Sequence, residues 1–332
     1  MFFLKILYKK FKYYFIYFFY ILYFYFKKYK KNYKKKNIVN KFKKKYNKSK
    51  ILNFFLLGPK GSYSNIAYIK YIKNKYKNNV LKLCYNFKEI IIKTENINKS
   101  FALLPIENTN SGSIYEIYDL LINSKLYILK EFNMKINHCL LSSKKNNINK
   151  IIFLYSHSQP FQQCSNFIKK FSKLNLINTN STSTAMKIIS KINSFSVAAI
   201  GSKNGAKLYN LFILRKNINN YNNITKFILL SNKNLITKNF DYKFIILIIN
   251  FNKNNNKIIN IIILFNKNNI IINKLEYRIF KNFKSQEVLY INFKNNFNFI
   301  KFKKILDKIK KKSNYIKFIG YYKINKKNFK LL

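Results

Sequence analysis

The sequence predicts an α/β fold followed by a smaller α+β module, and three observations carry that expectation. Between residues 51 and 231, short apolar runs alternate with segments whose apolar residues recur at helical spacing. Polar loops rich in hydroxyls and amides stand at the starts of the helical patterns. From residue 243 the order becomes strand, helix, strand, strand, helix, strand. Alternation of the first kind builds a mostly parallel sheet, and βαββαβ is the ferredoxin-like split order.

The first run, Asn53 to Leu57, ends at Gly58-Pro59-Lys60-Gly61. A helix is predicted from Ser62 or Ser64, burying Ile66, Ala67, Ile69 and Ile72. Phe101 to Ile106 is the next run, and Glu107 to Gly112 is its polar loop. Ser113 and Glu116 then have the spacing of a capping box before a helix striped by Ile114, Ile117, Tyr118 and Leu121. Ile151 to Tyr155 reads as a strand, Pro160 as a first helical position, and Cys164, Phe167, Ile168 and Phe171 as the buried stripe. Ser181 or Thr182 caps a helix with the stripe Ala185, Ile188, Ile189 and Ile192, before the strand Val197 to Ile200. The expected organisation is therefore an extension over 1–50, an α/β domain over 51–231, a polar linker over 232–242 and the module over 243–325.

Composition limits the function. The chain has 332 residues, enough for two modest cores, and 48% hydrophobic residues argue against disorder. Its net charge is +55, yet Arg215 and Arg278 are the only arginines. Specific nucleic-acid readout favours the planar guanidinium fork. The excess of Lys, Asn, Ile, Phe and Tyr over Gly and Pro instead follows AT-rich codons, so no specific nucleic-acid partner is expected. Residues 1–50 contain no acidic residue, and the apolar stretch Tyr13–Phe26 falls short of the roughly 20 residues a membrane span needs. A basic extension is the expected reading of that segment, with a helix lying at a membrane interface as the alternative. Cys84, Cys139 and Cys164 read as reduced cytosolic thiols; with His138 and His157 isolated, no metal site is expected.

Five segments put hydroxyls and amides at helix starts: Gly61-Ser62-Tyr63-Ser64, Glu107-Asn108-Thr109, Ser111-Gly112-Ser113, Ser156-His157 and Ser181-Thr182. Unpaired N–H groups at helix N-termini receive anions, and in open α/β sheets such loops converge at the strands' carboxyl ends. A site for a small carboxylated molecule follows. Any one loop is also explained by capping alone.

These segments carry a resemblance. Leu56 to Ala67 resembles the opening signature of the prephenate dehydratases, and Leu104 to Ser113 is similar to their Pro-Ile-Glu-Asn segment. Tyr155 to Cys164, Ser181 to Ala185 and Ala198 to Ser202 resemble later blocks in the same order, and Thr225-Lys226-Phe227 sits where the family has Thr-Arg-Phe. The resemblance implies a two-lobed, periplasmic-binding-protein-like domain in the cytoplasm. It would convert prephenate to phenylpyruvate, carbon dioxide and water for phenylalanine synthesis, with no metal or organic cofactor.

It also implies roles. Thr225 assists the leaving hydroxyl, with Asn108, Ser156 and Gln163 binding or acting on substrate. Ser62, Tyr63, Ser64, Ser111, Gly112, Ser113, Ser181 and Thr182 are expected to hold carboxylates, with Lys226 and Phe227 also at the substrate. Lys226 keeps the charge of the family's arginine without its fork. Glu107 is expected to be structural or regulatory and His157 to order its loop. Asn180 stands at a position that is acidic in some relatives.

The module resembles an ACT domain, which in this family binds phenylalanine at a dimer interface. Glu276 and Arg278 lie where the family has Glu-Ser-Arg-Pro, and Asn256-Lys257 replaces a Gly-Ala pair. A homodimer is expected, with phenylalanine binding weakened by side chains at 256 and 257. Some relatives carry a chorismate mutase in front. Residues 1–50 fit a truncated remnant of its last helix, and they have no acidic residue, glutamine or arginine for chorismate. The alternatives are a bifunctional relative, a dehydratase preferring arogenate, or an anion-binding protein without chemistry.

Overall fold

The computed structural model describes residues 51–75, 78–145, 147–232, 244–251, 256–280, 286–294, 299–311 and 313–322. The extension over 1–50, nearly all of the expected linker and the Asn256 side chain lie outside them. Fifteen strands and nine α-helices are present among the described residues. The first lobe begins with β1 (Leu52–Leu57), α1 (Tyr63–Tyr71), β2 (Asn79–Cys84), α2 (Phe87–Asn96), β3 (Ser100–Asn108) and β4 (Gly112–Ser113). It continues with α3 (Tyr115–Asn123) and β5 (Tyr127–Lys135). The second lobe holds β6 (Cys139–Ser142), β7 (Phe153–Ser156), α4 (Ser158–Gln163), α5 (Ser165–Ile168) and β8 (Asn175–Asn178). It closes with α6 (Thr182–Ile192), β9 (Val197–Gly201), α7 (Lys203–Leu208) and β10 (Phe212–Arg215) before β11 (Ile224–Ser231) returns to the first lobe.

Both sheets are mixed, where a mostly parallel one was expected. In the first lobe β1 pairs in parallel with β2 and β3, while β11 runs antiparallel to both β3 and β5. In the second, β7 is parallel to β8 and β9, and β6 is antiparallel to β9 and β10. The cause is the chain's path: strands that leave a lobe and come back meet their neighbours head to tail. The crossing segments bind each other, Ile136 N–H donating to Asn223 O at 2.8 Å and Ile218 N–H to His138 O at 3.0 Å.

Some predicted stripes turn. In α1, Tyr68 and Tyr71 enter the core and Ile69 is exposed. In α6, Ala185, Met186 and Ile189 are buried while Ile192 faces solvent and Ile188 is half-buried. Ser113 and Glu116 form no capping box; the N-cap of α3 is Ile114, without a side-chain bond. Pro160 is the third residue of α4, whose N-cap is His157.

The C-terminal module comprises β12 (Phe244–Phe251), α8 (Asn256–Lys267), β13 (Ile271–Phe280), β14 (Gln286–Lys294), α9 (Phe299–Lys310) and β15 (Tyr315–Tyr322). Its strands lie in the order β13-β14-β12-β15, and β15 meets β5, so first lobe and module share one sheet. One face of the module sheet packs on α8 and α9 through Ile261, Phe265, Leu289, Ile291, Phe293 and Ile305. The opposite face sends Val288, Tyr290 and Ile319 into the core of the first lobe, beside Ile117, Tyr118 and Leu121 of α3. Half-buried Lys317 reaches the frayed end of α3, its ammonium donating to the carbonyls of Leu121 at 2.7 Å and Ile122 at 3.0 Å. No helix among the described residues is long and apolar enough to cross a membrane.

Candidate functional site

A cleft of about 270 Å³ opens between the lobes. Its walls follow from strand periodicity. β11 pairs with β3 so that Thr225 stands opposite Asn108, and side chains two apart on a strand share a face. Asn223, Thr225 and Phe227 therefore point into the cleft together, and Asn108 joins them from β3. Gln163, at the end of α4, faces them from the second lobe.

A single chain of hydrogen bonds connects these side chains. Asn108 Nδ2 donates to Asn223 Oδ1 at 2.6 Å and to Thr225 Oγ1 at 2.9 Å, using both its hydrogens. Its Oδ1 accepts from the backbone N–H groups of Asn110 at 2.9 Å and Ser111 at 3.2 Å. Asn223 Nδ2 donates to Gln163 Oε1 at 2.7 Å. The same oxygen lies 2.9 Å from His138 Nε2, and His138 Nδ1 lies 2.8 Å from the Tyr63 hydroxyl. Burial of His138 lowers its pKa, so the ring is neutral at neutral pH; burial likewise holds the Tyr63 phenol protonated.

The bond directions decide what remains for a ligand. Thr225 Oγ1 is an acceptor toward Asn108, and no acceptor among the described residues takes its hydrogen. That hydrogen is free to point into the cleft. Gln163 spends its carbonyl on two donors, and its amide hydrogens have no partner among the described residues. Side-chain donors thus face the cleft from both lobes.

Helix starts complete the walls. Ser62 caps α1, accepting from Asn65 N–H at 3.3 Å, and Ser181 caps α6, accepting from Thr184 N–H at 3.0 Å. Tyr63, Ser64, Ser111 and Thr182 line the cleft beside them. Lining from the described residues contains no Lys or Arg, so a bound anion would meet hydroxyls, amides and the positive ends of helices. The lobes are also latched at the turn before α1. The Lys60 carbonyl accepts from Ser183 Oγ at 2.5 Å and Tyr209 OH at 3.0 Å. Gly61 has φ +89° there, and a Cβ would stand 3.0 Å from Ser183 and Leu208.

Several sequence-predicted residues stand elsewhere. Lys226 and Glu107, expected at substrate and at a regulatory position, alternate away from Thr225 and Asn108 onto the opposite face of the sheet. There Lys226 Nζ pairs with Glu107 at 2.9 Å, and Lys274 of the module pairs with Glu107 at 3.0 Å and Glu276 at 3.2 Å. Burial opposes the Glu107 charge, but the two ammonium groups outweigh it and hold the carboxyl below its ordinary range. Ser113 belongs to this cluster too, donating to Glu276 at 2.5 Å and accepting from Lys274 at 2.6 Å. Exposed Gly112, with φ +75°, does not line the cleft. Arg278 pairs with Asp119 and donates to the Tyr115 carbonyl at 3.0 Å, tying the module to α3. Ser156 is buried at the end of β7 with its hydroxyl 3.4 Å from the Ile200 carbonyl, behind the cleft wall. His157 does line the cleft, its ring accepting from Gln159 N–H at 3.3 Å.

Asn223 and His138 are the cleft residues that sequence reasoning missed. Asn223 had a signal, since it lies two residues before Thr225, at the position leading into β11, where the pairing continues through Ile136 N–H to the Asn223 carbonyl at 2.8 Å. His138 had none: its partners arrive from positions 25 and 75 residues away.

The fold and cleft together define a class, a two-lobed α/β protein with a polar cleft between its lobes. A family model for prephenate dehydratase matches residues 54–235. The bifunctional chorismate mutase/prephenate dehydratase of Buchnera aphidicola subsp. Acyrthosiphon pisum is 43% identical over 272 residues, covering 81% of this chain and 70% of that one. The prephenate dehydratase of Methanocaldococcus jannaschii is 33% identical over 274 residues, 80% of this chain and 96% of that one. A solved structure of prephenate dehydratase in complex with L-Phe from Arthrobacter aurescens shares the fold, with TM-score 0.74 at 18% identity, covering 82% of this chain and 90% of that one. The chain belongs to the prephenate dehydratase family, and it is a lyase of amino-acid biosynthesis.

Proposed function

We propose that the cleft binds prephenate with its carboxylates toward the helix starts and the Gln163 amide, and that Thr225 donates a hydrogen bond to the departing hydroxyl. Loss of carbon dioxide pushes electrons into the ring while the hydroxyl leaves from the opposite carbon, and aromatisation drives both. The hydroxyl departs as hydroxide more readily when a hydrogen-bond donor meets its developing charge, and it becomes water by taking a proton from solvent. The observation that carries this reading is the free Thr225 hydrogen, left over because Oγ1 is occupied by Asn108 Nδ2 at 2.9 Å. Purified chain incubated with prephenate is expected to form phenylpyruvate, and no turnover would sink the reading. Arogenate in a parallel reaction separates the closely related substrate.

Lys226 is, in this reading, a strut behind the catalytic strand rather than a substrate contact. Lys226→Met is expected to leave KM for prephenate within about threefold while lowering stability by roughly 1 kcal/mol, between the worth of an exposed and a buried pair. Steady-state kinetics beside thermal melts check it, and a rise in KM beyond tenfold with unchanged melting would reverse the assignment.

The module's strand order supports an ACT-like regulatory unit, with Glu276 and Arg278 joining it to the first lobe. Side chains at 256 and 257, where relatives have small residues, would crowd an effector, so feedback inhibition is weak. Titration with phenylalanine is expected to give no inhibition at sub-millimolar concentration. A homodimer through the module follows from its edge. Among the described residues strand β13 has no neighbour on one side, and it exposes Ile271, Leu275, Tyr277 and Ile279, with Ile259 and Ile263 of α8 also exposed. Sedimentation velocity should show a dimer, and a Leu275→Glu, Ile279→Glu double variant should sediment as a monomer. Three free, buried cysteines suit a reducing cytoplasm.

A further inference from the structure

We infer that His138 and Asn223 are positioning residues that lock the Gln163 amide in one orientation, so that its two N–H groups face the substrate. The inference rests on the reading of Gln163 as a prephenate contact and adds how that contact is set. An amide side chain turns over at little cost unless its neighbours distinguish oxygen from nitrogen. Here they do. Gln163 Oε1 lies 2.7 Å from Asn223 Nδ2 and 2.9 Å from His138 Nε2. Asn223 presents a donor because its own oxygen is held by Asn108 Nδ2 at 2.6 Å. Turning Gln163 over would set nitrogen against nitrogen at both contacts.

His138 must carry its proton on Nε2 to play this part, and the chain of donors that starts at Asn108 selects that tautomer. Asn108 Oδ1 accepts from two backbone N–H groups, so its Nδ2 donates to Asn223, Asn223 donates to Gln163 Oε1, and Nε2 faces that oxygen. Nδ1 is then left with a lone pair 2.8 Å from the Tyr63 hydroxyl, which also lies within 3.3 Å of the Asn137 carbonyl. The ring is fixed in place as well. His138 N–H donates to Asn219 Oδ1 at 2.7 Å, and the Tyr63 ring meets the imidazole edge to face at 5.4 Å between centroids. Asn108 belongs to the first lobe and Gln163 to the second, so the amide is locked only while the lobes are together.

Two measurements test this. The nitrogen-15 NMR pattern of His138 in the full-length wild-type chain at neutral pH is expected to show the proton on Nε2; a proton on Nδ1, or an imidazolium, overturns the inference. This readout needs no turnover, so it stands apart from the dehydratase reading, which fails separately if prephenate is not consumed. The second is a double-mutant cycle in kcat/KM. His138→Leu is expected to lose about tenfold to a hundredfold, the worth of a hydrogen bond to a charged group, mostly as raised KM. His138→Gln, which keeps an N–H donor, should recover most of it. The His138→Leu, Gln163→Ala double variant should match Gln163→Ala alone, because His138 acts only through the amide. Additive losses would show that it does not.

Discussion

Thr225→Val should lower kcat by a factor of about 10² to 10⁴, the usual worth of a positioned proton or hydrogen-bond donor, with KM changed by less than about threefold. Valine preserves the β-branched shape that the strand prefers, so the backbone pairing with Asn108 and Met134 is retained. What is lost is the Thr225 hydroxyl, whose hydrogen is free to point into the cleft. Binding changes little because the proposed carboxylate contacts come from the helix starts of α1 and α6 and from Gln163, none of which hydrogen-bonds Thr225. One structural cost is expected: Asn108 Nδ2 loses an acceptor in a buried place, worth about 1–3 kcal/mol, so the melting temperature falls by several degrees without unfolding at assay temperature. Thr225→Ser separates the two effects, since it restores the hydroxyl and should recover activity to within about tenfold of wild type. A valine variant with full turnover would remove Thr225 from the chemistry.

What was legible beforehand were features with a local period. The alternation of runs and stripes announced an α/β chain, and the helix-start hydroxyls at Ser62, Ser64, Ser111, Ser181 and Thr182 do line one cleft. Strand alternation was the rule left unused. Thr225, Lys226 and Phe227 do not face the substrate as one unit, because neighbours on a strand point to opposite faces. Applied there, it would have sent Lys226 behind the sheet and brought Asn223 forward. Other misses had no local signal. Ser113 leaves its capping box because Lys274 and Glu276, more than 150 residues away, offer it a charged partner. Ile69 and Ile192 are exposed because Tyr68, Tyr71 and Met186 fill the core at adjacent angles. His138 looked like an isolated histidine, and its meaning exists only once Tyr63 and Gln163 close around it.

Asn108→Asp is the sharper test of the polar chain, because it changes the direction of bonds without changing size. The Oδ1 contacts to Asn110 and Ser111 N–H survive, so the turn after β3 keeps its shape. The nitrogen that donates to Asn223 and Thr225 becomes an oxygen. Thr225 then has an acceptor beside it and turns its hydrogen away from the cleft. Asn223 must turn over to offer a donor, which points its oxygen at Gln163 Oε1, 2.7 Å from the present nitrogen. Gln163 is pulled between that oxygen and His138, and its N–H groups no longer both face the ligand. A negative charge also enters a cleft proposed to receive a dicarboxylate, with no Lys or Arg in its described lining. Loss of turnover by about 10³-fold or more, together with at least tenfold higher KM, is therefore expected. Because burial without a cationic partner raises the pKa of the introduced carboxyl, it is protonated as pH falls and can donate again. The variant's activity relative to wild type should accordingly rise toward acidic pH. A pH-independent deficit, or a KM unchanged beside a lowered kcat, would mean that the chain of bonds does not carry its orientation from Thr225 across to Gln163.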